Sequence, residues 1–141
     1  MLKSKQLDVG NKTENEVGKI FKRNGYWAHI LQKKASGQPV DIVAMKGNIN
    51  WLVDAKHISD KKSFTFSRIE PNQIDSLGYA KNYCGIKNLG FVICLEEDLE
   101  KGVSKGYFFH YDHFIELRDK GAKSVKISDL EDFQEVLNKC E

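Results

Sequence analysis

The chain has 141 residues, of which 40% are hydrophobic and 30% are charged, and its formal net charge is +2. These values are typical of one soluble globular domain and exclude an intrinsically disordered chain. No run approaches the roughly 18 apolar residues of a membrane span, and the first five residues lead into no signal segment, so we expect a cytoplasmic protein. The three cysteines are far apart, which indicates neither a disulfide framework nor a zinc site.

The charge is unevenly distributed along the chain. Residues 1–70 carry 13 Lys and Arg against 7 Asp and Glu, a balance of +6, whereas residues 71–141 carry 9 against 13, a balance of −4. A basic half attracts polyanions, and phosphate is the obvious candidate. The alternative is a solvated lysine-rich face that has no partner.

In chain order, residues 1–10 are predicted to form a flexible basic N-terminus, and residues 11–141 the folded domain. Helical spacing begins at Thr13 and ends at Asn24-Gly25. Glu14 falls on the apolar side of this helix, whereas Glu16 falls toward solvent. Glu14 is therefore either a third acid for a metal site or a first-turn residue that complements the helix dipole.

A predicted strand at residues 26–31 and a basic loop at residues 32–37 lead into a predicted β-hairpin. Its two strands, residues 38–45 and 51–57, are rich in Val, Ile and Trp, and Gly47-Asn48 is suitable turn chemistry. His29 and His57 are predicted to be hydrogen-bonded strand residues rather than catalysts.

Each strand of the hairpin contains an aspartate, Asp41 in the first and Asp54 in the second. Because side chains alternate between the faces of a strand, Lys56 points the same way as Asp54. Two acids and one base would then share a surface. Burying the two carboxylates costs free energy unless a divalent cation lies between them. The alternative is a structural ion pair of Asp and Lys.

The second half of the chain predicts further elements of an α/β fold. Pro71 suits the first turn of a helix whose inner side carries Ile74, Leu77 and Tyr79-Ala80. Gln73 lies near the N-terminus of that helix, where it either faces solvent or favours anions.

The remaining predicted elements run to the C-terminus. They are strands at residues 89–95 and 106–111 joined by an acidic turn, a short helix at 112–118, an extended piece at 124–127, and a final helix opened by a Ser128–Glu131 capping box. We expect a mixed central sheet flanked by helices.

The series of Glu14, Pro39-Val40-Asp41 and Asp54-Ala55-Lys56 resembles the PD-(D/E)XK nuclease superfamily. The segment TENEVGKIFKRNGYWAHI together with GQPVDIVA is similar to archaeal Hjc resolvases, and VDAKHISDKKSFTFSRIEPNQIDSL is similar to RecU Holliday junction resolvases. LGFVICL and GYFFHYDHF extend the likeness, which covers roughly residues 11–130.

The resemblance implies a restriction-endonuclease-like fold, with the nuclease domain over residues 11–141, and a role for each matching position. Asp41, Asp54 and the Ala55 carbonyl would bind Mg²⁺, with Mn²⁺ as an alternative ion, and Lys56 would act on the nucleophilic water. Glu14 would complete the site, and Gln73 would lie near the scissile phosphate. The residues expected to contact DNA are Lys12, Lys33, Lys34, Ser36, Lys61, Lys62 and Arg68.

The implied activity is that of a Mg²⁺-dependent endonuclease that cuts four-way DNA junctions as a homodimer, in recombination or repair, in a bacterial, archaeal or phage-infected cell. RecU proteins carry a long stalk between their first strands, and only the loop at residues 32–38 occupies that interval here. The alternatives are another nuclease of the superfamily, of repair, flap or restriction type, and a DNA-binding module without catalysis. The acids argue against the last, because binding alone needs positive charge.

Overall fold

The computed structural model describes residues 2–31, 40–59 and 62–140, with side chains from residue 9 onward. A six-stranded sheet in the order β1-β2-β3-β5-β6-β8 forms its centre. The strands of this sheet are β1 (Trp27–Ile30), β2 (Ile42–Lys46), β3 (Ile49–Ile58), β5 (Asn88–Leu95), β6 (Tyr107–His110) and β8 (Glu131–Asp132). A second, two-stranded sheet pairs β4 (Ser63–Thr65) with β7 (Ser124–Lys126).

The large sheet is mixed. β3 and β5 are parallel neighbours, whereas the other pairs, β1 with β2, β2 with β3, β5 with β6 and β6 with β8, are antiparallel. Parallel neighbours need a long crossover, and the chain between β3 and β5 contains a helix, as βα units do. The α/β fold with a mixed central sheet is thereby confirmed.

Five α-helices accompany the sheets in the described residues, and they are α1 (Leu2–Arg23), α2 (Pro71–Cys84), α3 (Glu96–Glu100), α4 (Tyr111–Asp119) and α5 (Phe133–Lys139). Short 3-10 helices span Phe66–Arg68 and Ile127–Asp129. None of the helices in this part of the chain combines the length and the apolar character needed to cross a lipid bilayer.

The sheet separates two hydrophobic cores. On one side, α1 and α5 bury Phe21 and Phe133 against Trp51 of β3. On the other side, α2 and α4 bury Leu77 and Phe114 with residues of β5 and β6. A strand with one face in each core alternates its side chains between them, which is the pattern predicted for β3.

The predicted hairpin is confirmed. Lys46 pairs with Ile49, so the connection between β2 and β3 is the two-residue turn Gly47-Asn48. Gly47 has φ of 58°, whereas no non-glycine residue described has positive φ. Positive φ at the first turn residue alone matches a type II′ turn, whose twist suits a hairpin.

Several predicted boundaries are wrong. Helix α1 begins at Leu2 rather than at Thr13, because the Thr13 hydroxyl donates to the Val9 carbonyl at 2.6 Å within the helix instead of capping its start. The residues predicted as an acidic turn, Glu96–Asp98, lie in helix α3. Tyr79 points to solvent, and not to the inner side of α2.

The start of the final helix also differs from the prediction. Ser128 lies in a 3-10 helix and Glu131 in β8, so they form no capping box. Helix α5 begins later, and the Asp132 side chain accepts a hydrogen bond from the Glu135 amide at 3.3 Å. Aspartate is as good an N-cap residue as serine, so both sites were chemically suitable, and packing of Phe133 selects the second.

Candidate active site

Asp41 and Asp54 meet at the start of the hairpin. Asp41 directly precedes β2, and its backbone N–H donates to Oδ1 of Asp54 at 3.1 Å. In return, Oδ2 of Asp41 accepts from the Ala55 N–H at 2.8 Å. Antiparallel pairing of Ile42 with Val53 brings about this reciprocal contact, so the predicted convergence of two acids is present.

Asp54 is the most deeply buried of the charged residues whose side chains the structure describes, with 0% of its surface exposed. Its Oδ2 has no hydrogen-bond partner in the part of the chain that the structure describes. Burial, and next the negative charge of Asp41, raise the pKa of Asp54 well above its usual value. A buried polar oxygen without a partner costs free energy, so Oδ2 of Asp54 is the atom of this pair with unused hydrogen-bonding capacity.

Lys56 lies two residues beyond Asp54, on the same face of β3. Its Nζ donates to Oε1 of Gln73 at 3.0 Å and to the Arg68 carbonyl at 3.2 Å. Burial lowers the pKa of Lys56, although the charges of Asp54 and Asp41 oppose this shift. The amine is therefore held in place and has a reduced affinity for its proton.

Gln73 is buried, with 7% exposed, so the solvent-facing alternative is wrong. It is the third residue of α2, and its Oε1 also accepts from the Glu70 N–H at 3.1 Å, within a capping box. Glu70 was missed by the sequence analysis. The Glu70-x-x-Gln73 spacing was its available signal, since Glu or Gln at this third position completes such a box.

Glu14 is also buried, with 7% exposed. It lies one turn before Gly18, where a Cβ atom would be 3.6 Å from the Ile30 side chain. Ile30 pairs with Ile42, the neighbour of Asp41, so Glu14 lies toward the same end of the sheet as the aspartates. Among the described residues, however, no three His, Cys, Asp or Glu side chains are grouped closely enough to hold a metal ion.

Glu16 is not on the solvent side of α1 but buried. Burial raises its pKa, but hydrogen bonds from Ser104 and from Lys19 outweigh that effect and lower the pKa overall. The Lys19 contact measures 3.0 Å, and Ser104 lies in the segment before β6. Glu16 therefore links α1 to that segment.

Only three of the residues predicted to contact DNA, Lys12, Lys62 and Arg68, lie in the part of the chain that the structure describes. Lys12 and Lys62 are exposed. Arg68 donates to the His57 carbonyl and lies over the Phe64 ring, 5.5 Å from its centroid, so part of its hydrogen-bonding capacity is used within the protein. The others, Lys33, Lys34, Ser36 and Lys61, lie outside the described residues, as does the predicted basic loop.

His57 on β3 and His29 on β1 each contact another side chain. His57 Nδ1 is 3.1 Å from Oε1 of Glu96, which confirms a hydrogen-bonded strand residue. Burial lowers the pKa of His57, and the Glu96 hydrogen bond opposes the shift. His29 lies on β1 and stacks on Trp27.

The aspartates fit a divalent metal ion in the kind of donor they offer. Mg²⁺ and Mn²⁺ prefer carboxylate and carbonyl oxygens, and they are commonly bound by one or two carboxylates together with waters and substrate phosphates. The unpaired Oδ2 of Asp54, beside Asp41, is such an oxygen. A cation there would also remove the repulsion that raises the pKa of Asp54.

Comparison with known proteins gives a structural likeness without a sequence match. No protein-family model and no curated protein sequence matches the chain. The fold is similar to that of Hjc, a Holliday junction resolvase from the archaeal hyperthermophile Archaeoglobus fulgidus, with a TM-score of 0.65 and 15% sequence identity. The likeness covers 91% of this chain and 99% of Hjc, so the two share a fold over nearly their whole lengths.

Proposed function

We propose that the protein is a metal-dependent DNA endonuclease that acts on branched DNA as a Holliday junction resolvase. The observation that carries this proposal is the buried, unpaired Oδ2 of Asp54 beside Asp41, with Lys56 on the same face of β3. The fold shared with Hjc supports it. A purely structural Asp–Lys ion pair would leave no buried carboxylate oxygen without a partner.

In the proposed site, Asp41, Asp54 and the Ala55 carbonyl hold Mg²⁺ or Mn²⁺. When bound, such an ion polarises a phosphoryl oxygen and lowers the pKa of a coordinated water. Glu14, at the same end of the sheet, is the proposed additional acid. Its function there would be exerted through water, since no three-acid group is formed in the described residues.

Hydrolysis then needs a water molecule to attack the phosphorus atom. The water oxygen forms a bond to phosphorus as the bond to the 3′ oxygen breaks, which leaves a 5′-phosphate and a 3′-hydroxyl end. Lys56, whose pKa is lowered by burial, either orients and deprotonates this water or stabilises the charge on the phosphoryl oxygens. Gln73 holds the Lys56 amine in position through its 3.0 Å hydrogen bond.

The proposed resolvase activity also implies a DNA-binding surface and a dimer. Lys12, Lys62 and the lysines at positions 33, 34 and 61 would neutralise backbone phosphates, and Ser36 and Arg68 are the other proposed DNA contacts. A homodimer would place two such sites on opposite strands of a junction. Sedimentation of the purified protein tests the dimer directly.

The activity is tested by incubating the protein with a four-way junction, a Y-form, a flap and a linear duplex in Mg²⁺. We expect cleavage of the junction in preference to the duplex, loss of cleavage in EDTA, and loss of cleavage by Asp54→Asn. Asp119→Asn, at an exposed position on α4, is the matched control and should cut like wild type.

Each other result has a defined meaning. An intact junction with wild type, or equal cutting by Asp54→Asn, rejects the assignment. Faster cutting of the flap or duplex favours a repair or restriction nuclease of the same chemistry. Tight binding of every DNA without cleavage at any Mg²⁺ concentration identifies a binding module instead.

A further inference from the structure

Two aromatic rings lie open on the edge strand of the large sheet. Along β1, Ala28 and Ile30 pack toward α1, whereas Trp27 and His29 point to the opposite face and are exposed. Trp27 exposes 61% of its surface, although tryptophan is among the side chains that gain most from burial. A single exposed aromatic residue is ordinary, whereas a contiguous exposed apolar patch marks an interaction site.

The two rings form an ordered surface. The centroids of Trp27 and His29 are 5.9 Å apart, and their planes differ by only 8°. Met45, which pairs with Trp27 across the sheet, is 46% exposed and extends the apolar area onto β2. Parallel rings beside a flexible apolar side chain complement a flat, aromatic ligand.

This surface lies on the face of the sheet that carries Asp54. His29 pairs with Val43, and Val43 pairs with Leu52, which is two residues before Asp54 on the same side of β3. At strand spacings near 4.8 Å and a rise of 3.4 Å per residue, His29 is about 12 Å and Trp27 about 17 Å from Asp54. At 3.4 Å per stacked nucleotide, these distances correspond to about four or five nucleotides.

We propose that Trp27 and His29 form a stacking surface for unpaired nucleobases of the DNA whose backbone is bound at Asp41 and Asp54. This inference rests on the proposed function and adds the substrate feature that is recognised. Base stacking on aromatic side chains does not depend on sequence, because every base has a π-face. Unpaired bases occur in DNA at forks and flaps, and continuous stacking is interrupted at branch points, whereas the bases of an intact duplex are already stacked on their neighbours.

The charge of this region also favours a nucleic acid. The half of the chain that contains β1, β2 and β3 has a balance of +6. A second copy of the chain would bring a half with the same positive balance, whereas DNA would neutralise that balance. We therefore assign the surface to DNA.

The experiment uses tryptophan fluorescence as a signal independent of cleavage. The chain has two tryptophans, and Trp51 is 1% exposed, so a ligand that stacks at the surface quenches Trp27 selectively. Wild type in EDTA is titrated with a forked DNA that has two unpaired arms and with a fully paired duplex of the same nucleotide count. We expect strong quenching by the forked DNA and little by the duplex.

Substitutions then test whether the ring carries the binding. Trp27→Ala should weaken binding of the forked DNA about tenfold and leave duplex binding unchanged, since stacking contributes about 1–3 kcal/mol per base. Trp27→Phe keeps an aromatic face and should retain most of the affinity. Tyr83→Ala, at an exposed aromatic on α2, is the matched control and should bind like wild type.

Three results would overturn the inference. The first is that Trp27→Ala binds forked DNA with wild-type affinity. The second is that Trp27→Ala loses equal affinity for forked and duplex DNA. The third is a change of oligomeric state in Trp27→Ala, which would identify a subunit interface. Failure of the proposed function gives a different result. Wild type would then cut no DNA in Mg²⁺, while selective quenching by forked DNA would still support the stacking surface.

Discussion

The Lys56 ammonium donates a hydrogen bond to the amide oxygen of Gln73 at 3.0 Å, which ties the central strand β3 to the N-terminus of α2. The same oxygen accepts the Glu70 N–H at 3.1 Å and thereby caps the helix. One side chain thus stabilises the start of a helix and fixes the position of a partly buried amine. A change at Gln73 should consequently affect both stability and activity.

Gln73→Ala removes both hydrogen bonds. We expect the free energy of unfolding to fall by about 1 kcal/mol, as for loss of a helix cap, and cleavage to slow about tenfold with unchanged DNA affinity. Denaturant unfolding and single-turnover cleavage measure the two effects. Asn82→Ala, at an exposed position on the same helix, is the control, and an equal effect there would contradict the role of Gln73.

Gln73→Glu separates positioning from stability, because it keeps the geometry and adds a negative charge next to Lys56. An opposite charge favours the protonated amine, so the pKa of Lys56 should rise. If the neutral amine is the active form, the ascending limb of the pH–rate profile should move to higher pH. An unchanged profile would mean that Lys56 acts as a cation and stabilises the negative charge on the phosphoryl oxygens.

Lys56→Met should slow cleavage at least a hundredfold, in the range found for general acid–base and electrostatic groups. Binding of junction DNA in EDTA should change little, because the amine is largely buried and hydrogen-bonded to Gln73 and to the Arg68 carbonyl. Lys62→Met, at an exposed position, should instead weaken binding and leave the rate of the bound complex unaltered. Cleavage by Lys56→Met at the wild-type rate would show that Lys56 takes no part in the proposed hydrolysis.

The sequence predicted the hairpin and its charges correctly because they depend on local rules. Strand alternation places Asp54 and Lys56 together, and the two-residue turn sets the register that brings Asp41 alongside. The burial of Gln73 and Glu16 depends instead on which elements pack against them, and no periodicity within one helix contains that information. The pairing of β4 with β7 was missed because three-residue strands give almost no alternation to detect.

The helix boundaries were wrong for a related reason. Thr13 and Ser128 are both suitable caps by residue type, but tertiary packing decided between competing starts. At Thr13 the helix extends past the residue to Leu2, and near Ser128 the chain makes a 3-10 turn and a short strand before α5 begins. Neither choice is encoded in the few residues that surround the cap.

Asp54→Asn should stabilise the metal-free protein near neutral pH. Because burial and Asp41 raise the pKa of Asp54, the folded protein holds this proton at pH values where the unfolded chain has released it. Below the unfolded pKa, near 3.9, the carboxyl is protonated in both states and costs nothing. As the pH rises from there through the raised folded pKa, the free energy of unfolding falls.

The asparagine variant lacks this titration and should be more stable than wild type by about 1–3 kcal/mol at pH 7–8 in EDTA. Denaturant unfolding between pH 4 and pH 8 measures the difference. Excess Mg²⁺ should stabilise wild type and have no effect on Asp54→Asn. A parallel pH dependence of the two proteins would contradict the assigned cause.

Phe133→Ala tests whether α5 closes the core against α1. The Phe133 ring contacts Phe21, Trp51 and Phe108, with centroid distances of 5.2, 5.5 and 5.7 Å. Truncating a fully buried phenylalanine leaves a cavity, so we expect the free energy of unfolding to fall by about 3–5 kcal/mol. Val103→Ala, at an exposed apolar position, should change it by less than about 0.5 kcal/mol. A small effect of Phe133→Ala in thermal or denaturant unfolding would mean that α5 is not part of the cooperative core.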